Sequence, residues 1–317
     1  MPCIFLLPVP EFSSGRLGTI YGVAICINLF FNVDSTFKHL TMQRIIMYIK
    51  GYRQVSLYWV AAALTAFVFC GCESKQIREY SLGQRPWRHL EPLQLVGGIS
   101  VESRNVNYHL LGTGEDVVFV LASIHGNEKT GTPIANALVE YLKQNRDLLI
   151  GRKIVIMPIA NPDGFAKNSR GNSNGIDLNR NFATFNRINN FTNGAHGSSE
   201  PETRMLERII DQYKPDRILT FHDALACIDY DGPGKDISMV MGRYCDLPVK
   251  KLGSRPGSMG SYAGETLGIP IITIELTKED KKLSGEVLWQ KYGQMTLAGI
   301  TYPDAPPVFQ PKVAQKF

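Results

Sequence analysis

Four residues of this 317-residue chain stand where apolar runs stop, and their types together suit hydrolysis. Residues 117–122, VVFVLA, form a continuous apolar run of the kind buried on both faces of an α/β sheet. The chain should leave the sheet near Ser123. His125-Gly126-Asn127-Glu128 follows, two metal-ligand types three apart across a glycine that lets the backbone turn sharply. His-x-x-Glu alone is a common accident, and its weight comes from repetition: RILTF at 217–221 delivers His222, and PIITI at 270–274 ends in Glu275. Open α/β sheets bind ligands at the carboxyl ends of their strands, so these ends are expected to meet.

Two histidines and a carboxylate, His125, Glu128 and His222, are the ligand set of a catalytic zinc, which keeps a fourth position open for water. The metal lowers the pKa of that water, and a nearby carboxylate takes its proton as it attacks a carbonyl. Glu275 is the candidate base. A carboxylate at the end of an apolar strand is costly to bury without such a role, the competing reading being a salt bridge at a strand end. His196 is a rival ligand, but it lies in an Asn- and Gly-rich stretch with no strand to fix it and is expected to be solvated.

The elements that must position these residues follow in order. Residues 133–145 have helical periodicity through Ile134, Leu138, Tyr141 and Leu142, and 153–159, KIVIMPI, read as the next strand. Asn161-Pro162-Asp163-Gly164 reads as a turn. Residues 183–199 read as a long surface loop rimming the site, and Glu200-Pro201-Glu202-Thr203 opens a helix through about 213. Residues 248–268 are rich in glycine and serine, 287–300 read as a closing helix, and 303–317 as an irregular tail. Strands alternating with helices predict one α/β domain over 99–302, a mixed, mostly parallel twisted sheet with helices on both faces.

A composition of 44% hydrophobic and 20% charged residues permits a sizeable core. The net charge of +5 comes without a basic cluster interleaved with aromatics, which argues against a nucleic-acid partner. Residues 1–46 carry no catalytic or capping signal and are expected to be untranslated or disordered, with the true start at Met42 or Met47. Arg44, Lys50 and Arg53 then precede an uncharged run, 55–69, that ends in Cys70-Gly71-Cys72. Over 47–72 this pattern resembles a bacterial lipoprotein signal with Cys72 as the acylated residue; the alternative is an uncleaved membrane anchor. Either implies export to the periplasm and a membrane contact only through this segment. Residues 73–98, charged and carrying Pro86 and Pro92, are expected to be a tether. Cys227 and Cys245 are read either as a disulfide or as two buried thiols.

From about residue 100 to residue 300 the motifs resemble the zinc carboxypeptidases of the carboxypeptidase A type. In order, the chain has His-x-x-Glu at His125 and Glu128, Asn-Pro-Asp-Gly, Arg170 before a Gly-x-Asp-x-Asn-Arg-Asn segment, His222 and Glu275. The resemblance implies one zinc ion per chain. It also implies that Arg170 polarises the scissile carbonyl, that Asn179 and Arg180 clamp a free carboxylate, and that Asp177 orients His125 from behind. A planar guanidinium suits the clamp, and metal-bound histidines need such an orienting partner.

Within that family, Ser199-Glu200-Pro201-Glu202-Thr203, residues 221–228 and residues 256–261 are similar to the murein peptide amidases. That implies a cell-wall peptide substrate, cut between γ-D-glutamate and meso-diaminopimelate. Gly260 stands where a larger side chain often sets specificity, so the loop with Ser258 and Ser261 is expected to receive the polar diaminopimelyl group. An N-acyl amino acid deacylase or a general metallocarboxypeptidase shares the zinc set, whereas a non-catalytic exported binding lipoprotein has no use for Glu275.

Overall fold

Apolar runs set the middle of the sheet. The computed structural model describes residues 92–308, and within them seven strands form one sheet in the order β1-β2-β4-β3-β5-β7-β6. The strands are β1 Leu93–Ile99, β2 Asn105–Leu111, β3 Asp116–Ala122, β4 Arg152–Met157, β5 Arg217–Asp223, β6 Cys227–Asp231 and β7 Ile271–Leu276. Four of them, β4, β3, β5 and β7, run parallel side by side, and antiparallel strands close both edges. The parallel four are the near-continuous Val/Ile/Leu runs, because only they are covered on both faces.

Among the described residues five α-helices accompany the sheet: α1 Gly131–Gln144, α2 Pro162–Lys167, α3 Pro201–Tyr213, α4 Lys235–Met241 and α5 Gly285–Thr301. On one face Val118, Val120 and Ala122 of β3 pack with Leu219, Phe221, Ile272 and Ile274 against Ile134 and Leu138 of α1, Met241 of α4 and Tyr292 of α5. On the other face Phe119 and Leu121 pack with Ile218 and Ile271 against Met205, Leu206, Ile209 and Ile210 of α3. Emptying such a position, as in Phe221→Ala, should cost roughly 3–5 kcal/mol.

The register aligns polar residues on this second face. His222 pairs with Glu275 and Thr220 with Thr273, while on the edge strand Cys227, Asp229 and Asp231 pair with Glu275, Thr273 and Ile271. Side chains two apart along a strand share a face. One strip of sheet therefore presents His222 and Glu275 at its upper end and Asp231 at its lower end.

The expected boundaries need two adjustments. The sheet begins at Leu93, inside the stretch read as a tether to residue 98, because β1 is an exposed edge strand without an apolar run. Asn161 to Gly164 is not a free turn but the start of α2, with Pro162 in its first turn and the Asn161 side chain accepting from Gly164 N. Residues 1–91 and 309–317, which hold the expected leader, Cys72, most of the tether and the end of the tail, lie outside the described residues. Among the described residues no helix is long and apolar enough to cross a membrane. Cys227 and Cys245 are free thiols, the former buried.

Candidate metal centre and its cavity

The loop after β3 places His125 and Glu128 by three local devices. Ser123 takes the turn out of the strand in the left-handed region, φ 52°, and its hydroxyl bridges Glu128 O and Thr132 Oγ1. Gly126 is required by close approach: a Cβ there would lie 2.0 Å from Gly164 C. Asn161 Nδ2 then laces this loop to the next one, donating to Ile124 O and Arg170 O, the latter also accepting from Gly126 N.

Three ligand atoms converge here. One from each of His125, Glu128 and His222, all buried, lie within 4.8 Å of one another. His222 Nδ1 and Glu128 Oε2 are 2.8 Å apart, and Asp223 N donates to the same oxygen. His125 Nε2 is 2.9 Å from Asp177 Oδ1, which fixes the ring and leaves Nδ1 facing inward. That Nδ1 lies 2.9 Å from Glu128 Oε1, but the geometry is not that of a hydrogen bond, and the atom is buried without a partner. An orphaned imidazole nitrogen beside a second histidine and a carboxylate fits a divalent metal, and His₂-carboxylate is a catalytic zinc set. Burial opposes the charge on Glu128, yet the neighbouring imidazoles of His125 and His222 hold its carboxyl far below the carboxylate range. His125, desolvated as it is, is raised by Asp177 and Glu128. Ligand groups must be deprotonated to hold a metal, so metal binding here is expected to compete with protons.

The remaining expected residues stand around this cluster. Arg170 donates from Nη1 to Glu128 Oε1 and from Nε to Asp177 Oδ2, both at 2.9 Å. Its loop is anchored to the start of α3 by Asn172 Nδ2, which donates to Glu200 and Glu202. Glu275, half-buried in the row opposite His222, accepts among the described residues only a long bond from Leu225 N, and burial pushes its carboxyl up. Asn179 uses its side-chain oxygen to hold Met259 N. Arg180 donates to Asn179 O, has no carboxylate within salt-bridge distance among the described residues, and is lowered by burial. Ser258 lines the cavity, but Ser261 does not. The Ser261 hydroxyl is fully buried, donating to Arg255 O and accepting from Asn186, so it holds the loop together and is not free to bind substrate. His196 is exposed, away from the cluster.

All of these except Asp177, Ser261 and His196 line one cavity of about 250 Å³ that continues down the sheet face to Thr220, Thr273, Asp229 and Asp231 and is bordered by Arg255 and Gly260. The two aspartates and Arg255 were not anticipated from sequence. The signal was present in CIDYD at 227–231, where period-two alternation puts both carboxylates on one face of a strand.

The chain matches the zinc carboxypeptidase family over residues 94–231. It is 32% identical over 174 residues to murein peptide amidase A of Escherichia coli (strain K12), covering 49% of this chain and 69% of that protein. It is 36% identical over 108 residues to carboxypeptidase D of Homo sapiens, covering 27% of this chain and 8% of that protein. Among solved structures, the murein-tripeptide amidase of Escherichia coli O157 superposes with TM-score 0.52 at 24% identity, over 70% of this chain and 97% of the other. Bovine thrombin-activatable fibrinolysis inhibitor shares the fold with TM-score 0.56 at 18% identity, over 66% and 89% of the two chains.

Proposed function

Because the chain belongs to the zinc carboxypeptidase family, and is by that membership a metal-dependent peptide-hydrolysing enzyme, we propose that it cuts murein peptides at the γ-D-glutamyl-meso-diaminopimelate bond. One observation carries the reading most: a single cavity holds three converging ligand atoms, the strand-borne Glu275, and a guanidinium, Arg180, with no carboxylate within salt-bridge distance among the described residues. The narrowing to murein peptides is supported by the 32% identity to an amidase of that name.

His125, Glu128 and His222 would hold one zinc ion. When bound, zinc supplies the Lewis acidity that polarises a carbonyl and makes water acidic enough to deprotonate near neutral pH. This chain's own residues do the rest. Arg180, with the Asn179 amide, holds the free carboxylate that diaminopimelate carries beside its acylated nitrogen, in the bidentate manner of a planar fork. Arg170, half-exposed and engaged with Glu128 and Asp177, turns to the scissile carbonyl oxygen and stabilises the charge that develops there. Glu275 accepts a proton from the attacking water and returns it to the leaving nitrogen. Asp177 keeps the His125 ring oriented. Ser258, at the cavity wall, is within reach of the released side chain. The basic and apolar stretch at 44–69 supports export to the periplasm, with Cys72 as the tether.

The test is incubation of the zinc-loaded protein with L-alanyl-γ-D-glutamyl-meso-diaminopimelate, with ordinary C-terminal peptides and with small N-acyl amino acids, products being weighed by mass spectrometry. Release of diaminopimelate from the tripeptide as the fastest reaction is expected. Faster cleavage of either other class overturns the murein assignment.

A further inference from the structure

A second cavity, of about 280 Å³, opens on the other side of Glu128, lined among others by Lys129, Thr130, Asp223, Lys281 and Leu283. Asp223 lines this cavity and the catalytic one, and its backbone N donates to Glu128 Oε2. Arg180, the proposed holder of the half released as an amine, lines only the catalytic cavity. The second cavity is therefore placed for the other half of the substrate, the one that carries the scissile carbonyl.

Its charges have bonding capacity to spare. The Asp223 side chain is 1% exposed; Oδ2 accepts from Thr130 Oγ1 at 2.8 Å, while Oδ1 is buried and accepts nothing among the described residues. Lys281 Nζ stands 3.6 Å from Oδ2, beyond hydrogen-bond reach, on a half-exposed side chain. On the same wall both oxygens of Asp280 are occupied, by Lys291, Tyr292 and Thr277 N. Leaving a buried carboxylate oxygen unpaired is costly. Positive charge is free here too. Lys129 Nζ lies over the Phe165 ring, 4.6 Å from its centroid, with no carboxylate within salt-bridge distance among the described residues. Helix α1 starts at this wall with no acidic residue in its first turn and no side-chain cap, so its positive end also favours an anion. An unpaired carboxylate oxygen and an unpaired ammonium in one cavity fit a zwitterion.

We infer that this cavity receives the amino-terminal end of the acyl half: Asp223 accepts the free ammonium of the first residue, displacing the loosely held Lys281, and Lys129 with the start of α1 receives the free α-carboxylate of the γ-linked residue that follows. In an L-alanyl-γ-D-glutamyl peptide both charges lie on the far side of the scissile carbonyl from the residue that Arg180 holds. Acylating the amino terminus removes the first, and amidating the glutamyl α-carboxylate removes the second. The inference rests on the peptide-hydrolysing reading of the catalytic cavity and names what binds on its acyl side.

The experiment uses the zinc-loaded full chain and two readouts. Hydrolysis follows kcat/KM for L-alanyl-γ-D-glutamyl-meso-diaminopimelate, for its N-acetyl derivative and for its derivative amidated at the glutamyl α-carboxylate. Calorimetry follows binding of the acyl product, L-alanyl-D-glutamate, and of its N-acetyl form. In the parent each modification should cost on the order of 10- to 100-fold, the range for a hydrogen bond to a charged group. Asp223→Asn should lose most of the sensitivity to acetylation and keep that to amidation, and Lys129→Met should show the reverse. Zinc content is measured throughout; Lys129→Met, outside the ligand set, and the parent's own response to acetylation decide the matter even if Asp223→Asn loses its metal. Indifference of the parent to both modifications, or an equal loss on all substrates in Lys129→Met, overturns the assignment. Binding of L-alanyl-D-glutamate that acetylation abolishes, without cleavage of any tripeptide, would instead sink the hydrolytic reading and leave the zwitterion site standing.

Discussion

The two ends of the sheet both carry buried charge and both open into a cavity, yet they treat charge differently. Where the parallel strands begin, Arg217 donates to both oxygens of Asp116 and to the carbonyls of Gly299 and Ile300, and Arg152 reaches Asp116 and Asp304. A cleft of about 720 Å³ opens there, far roomier than the 250 Å³ at the other end. Where the strands finish, His125 Nδ1, Asp223 Oδ1 and Asp231 Oδ1 are buried without hydrogen bonds, against Arg152 Nε at the other end, and Arg180 has no carboxylate within salt-bridge distance among the described residues. Charges that satisfy one another lock a fold; charges left with spare bonding capacity await a ligand. Cavity size alone would have chosen the wrong end.

The comparison breaks first at Glu275. If it is a base and not a metal ligand, Glu275→Gln should keep its zinc and lose on the order of 10²-fold or more in turnover. A variant that loses the metal instead moves Glu275 into the ligand set. Next in size is Arg217→Ala at the opposite end. Removing one partner of a buried ion pair should destabilise by about 3 kcal/mol, at the lower end of the range because Asp116 is partly exposed, with kcat/KM per folded molecule unchanged. A large loss of catalysis without a fall in Tm would mean that this end is not merely structural.

Arg180→Lys keeps the charge and removes the planar fork, so binding should weaken by about 1–3 kcal/mol. Amidating the substrate carboxylate beside the scissile bond should cost the parent a similar amount and the variant much less, since both changes remove one interaction. Additive losses in that cycle would detach Arg180 from the carboxylate.

The smallest effect is a pH slope. The Asp231 carboxyl, raised from its ordinary 3.8 to about 6, binds its proton more tightly folded than unfolded. Its contribution to stability is therefore complete below about pH 4 and is lost as pH climbs through about 6. Thermal transitions between these values should fall less steeply for Asp231→Asn than for the parent. Parallel curves would say that the carboxylate is already paired.

What the sequence disclosed follows the same division. The parallel strands and the helices α1, α3 and α5 were legible because two-sided or one-sided burial writes apolar runs and 3.6-residue periods into the chain. His125, Glu128, His222 and Glu275 were legible because each follows or ends such a run. β1, β2 and β6 were missed: LQLVGGI is an exposed edge with a glycine pair, NVNYHLL breaks its apolar residues with Asn and His, and CIDYD turns alternate aspartates into a cavity. With β6 went Asp229 and Asp231, whose role depends on which strand lies beside β7. Ser261 was misjudged for a related reason, since composition marks a loop as polar without saying which hydroxyls its own backbone consumes.

The central claim is that His125, Glu128 and His222 hold a zinc ion on which peptide hydrolysis depends. Zinc content and tripeptide turnover, measured on the same preparations of the parent and of His222→Ala, test it directly. One zinc per parent chain is expected, with metal and turnover lost together in the variant, because two remaining ligands do not retain a catalytic ion. Full zinc and full turnover in His222→Ala would contradict it.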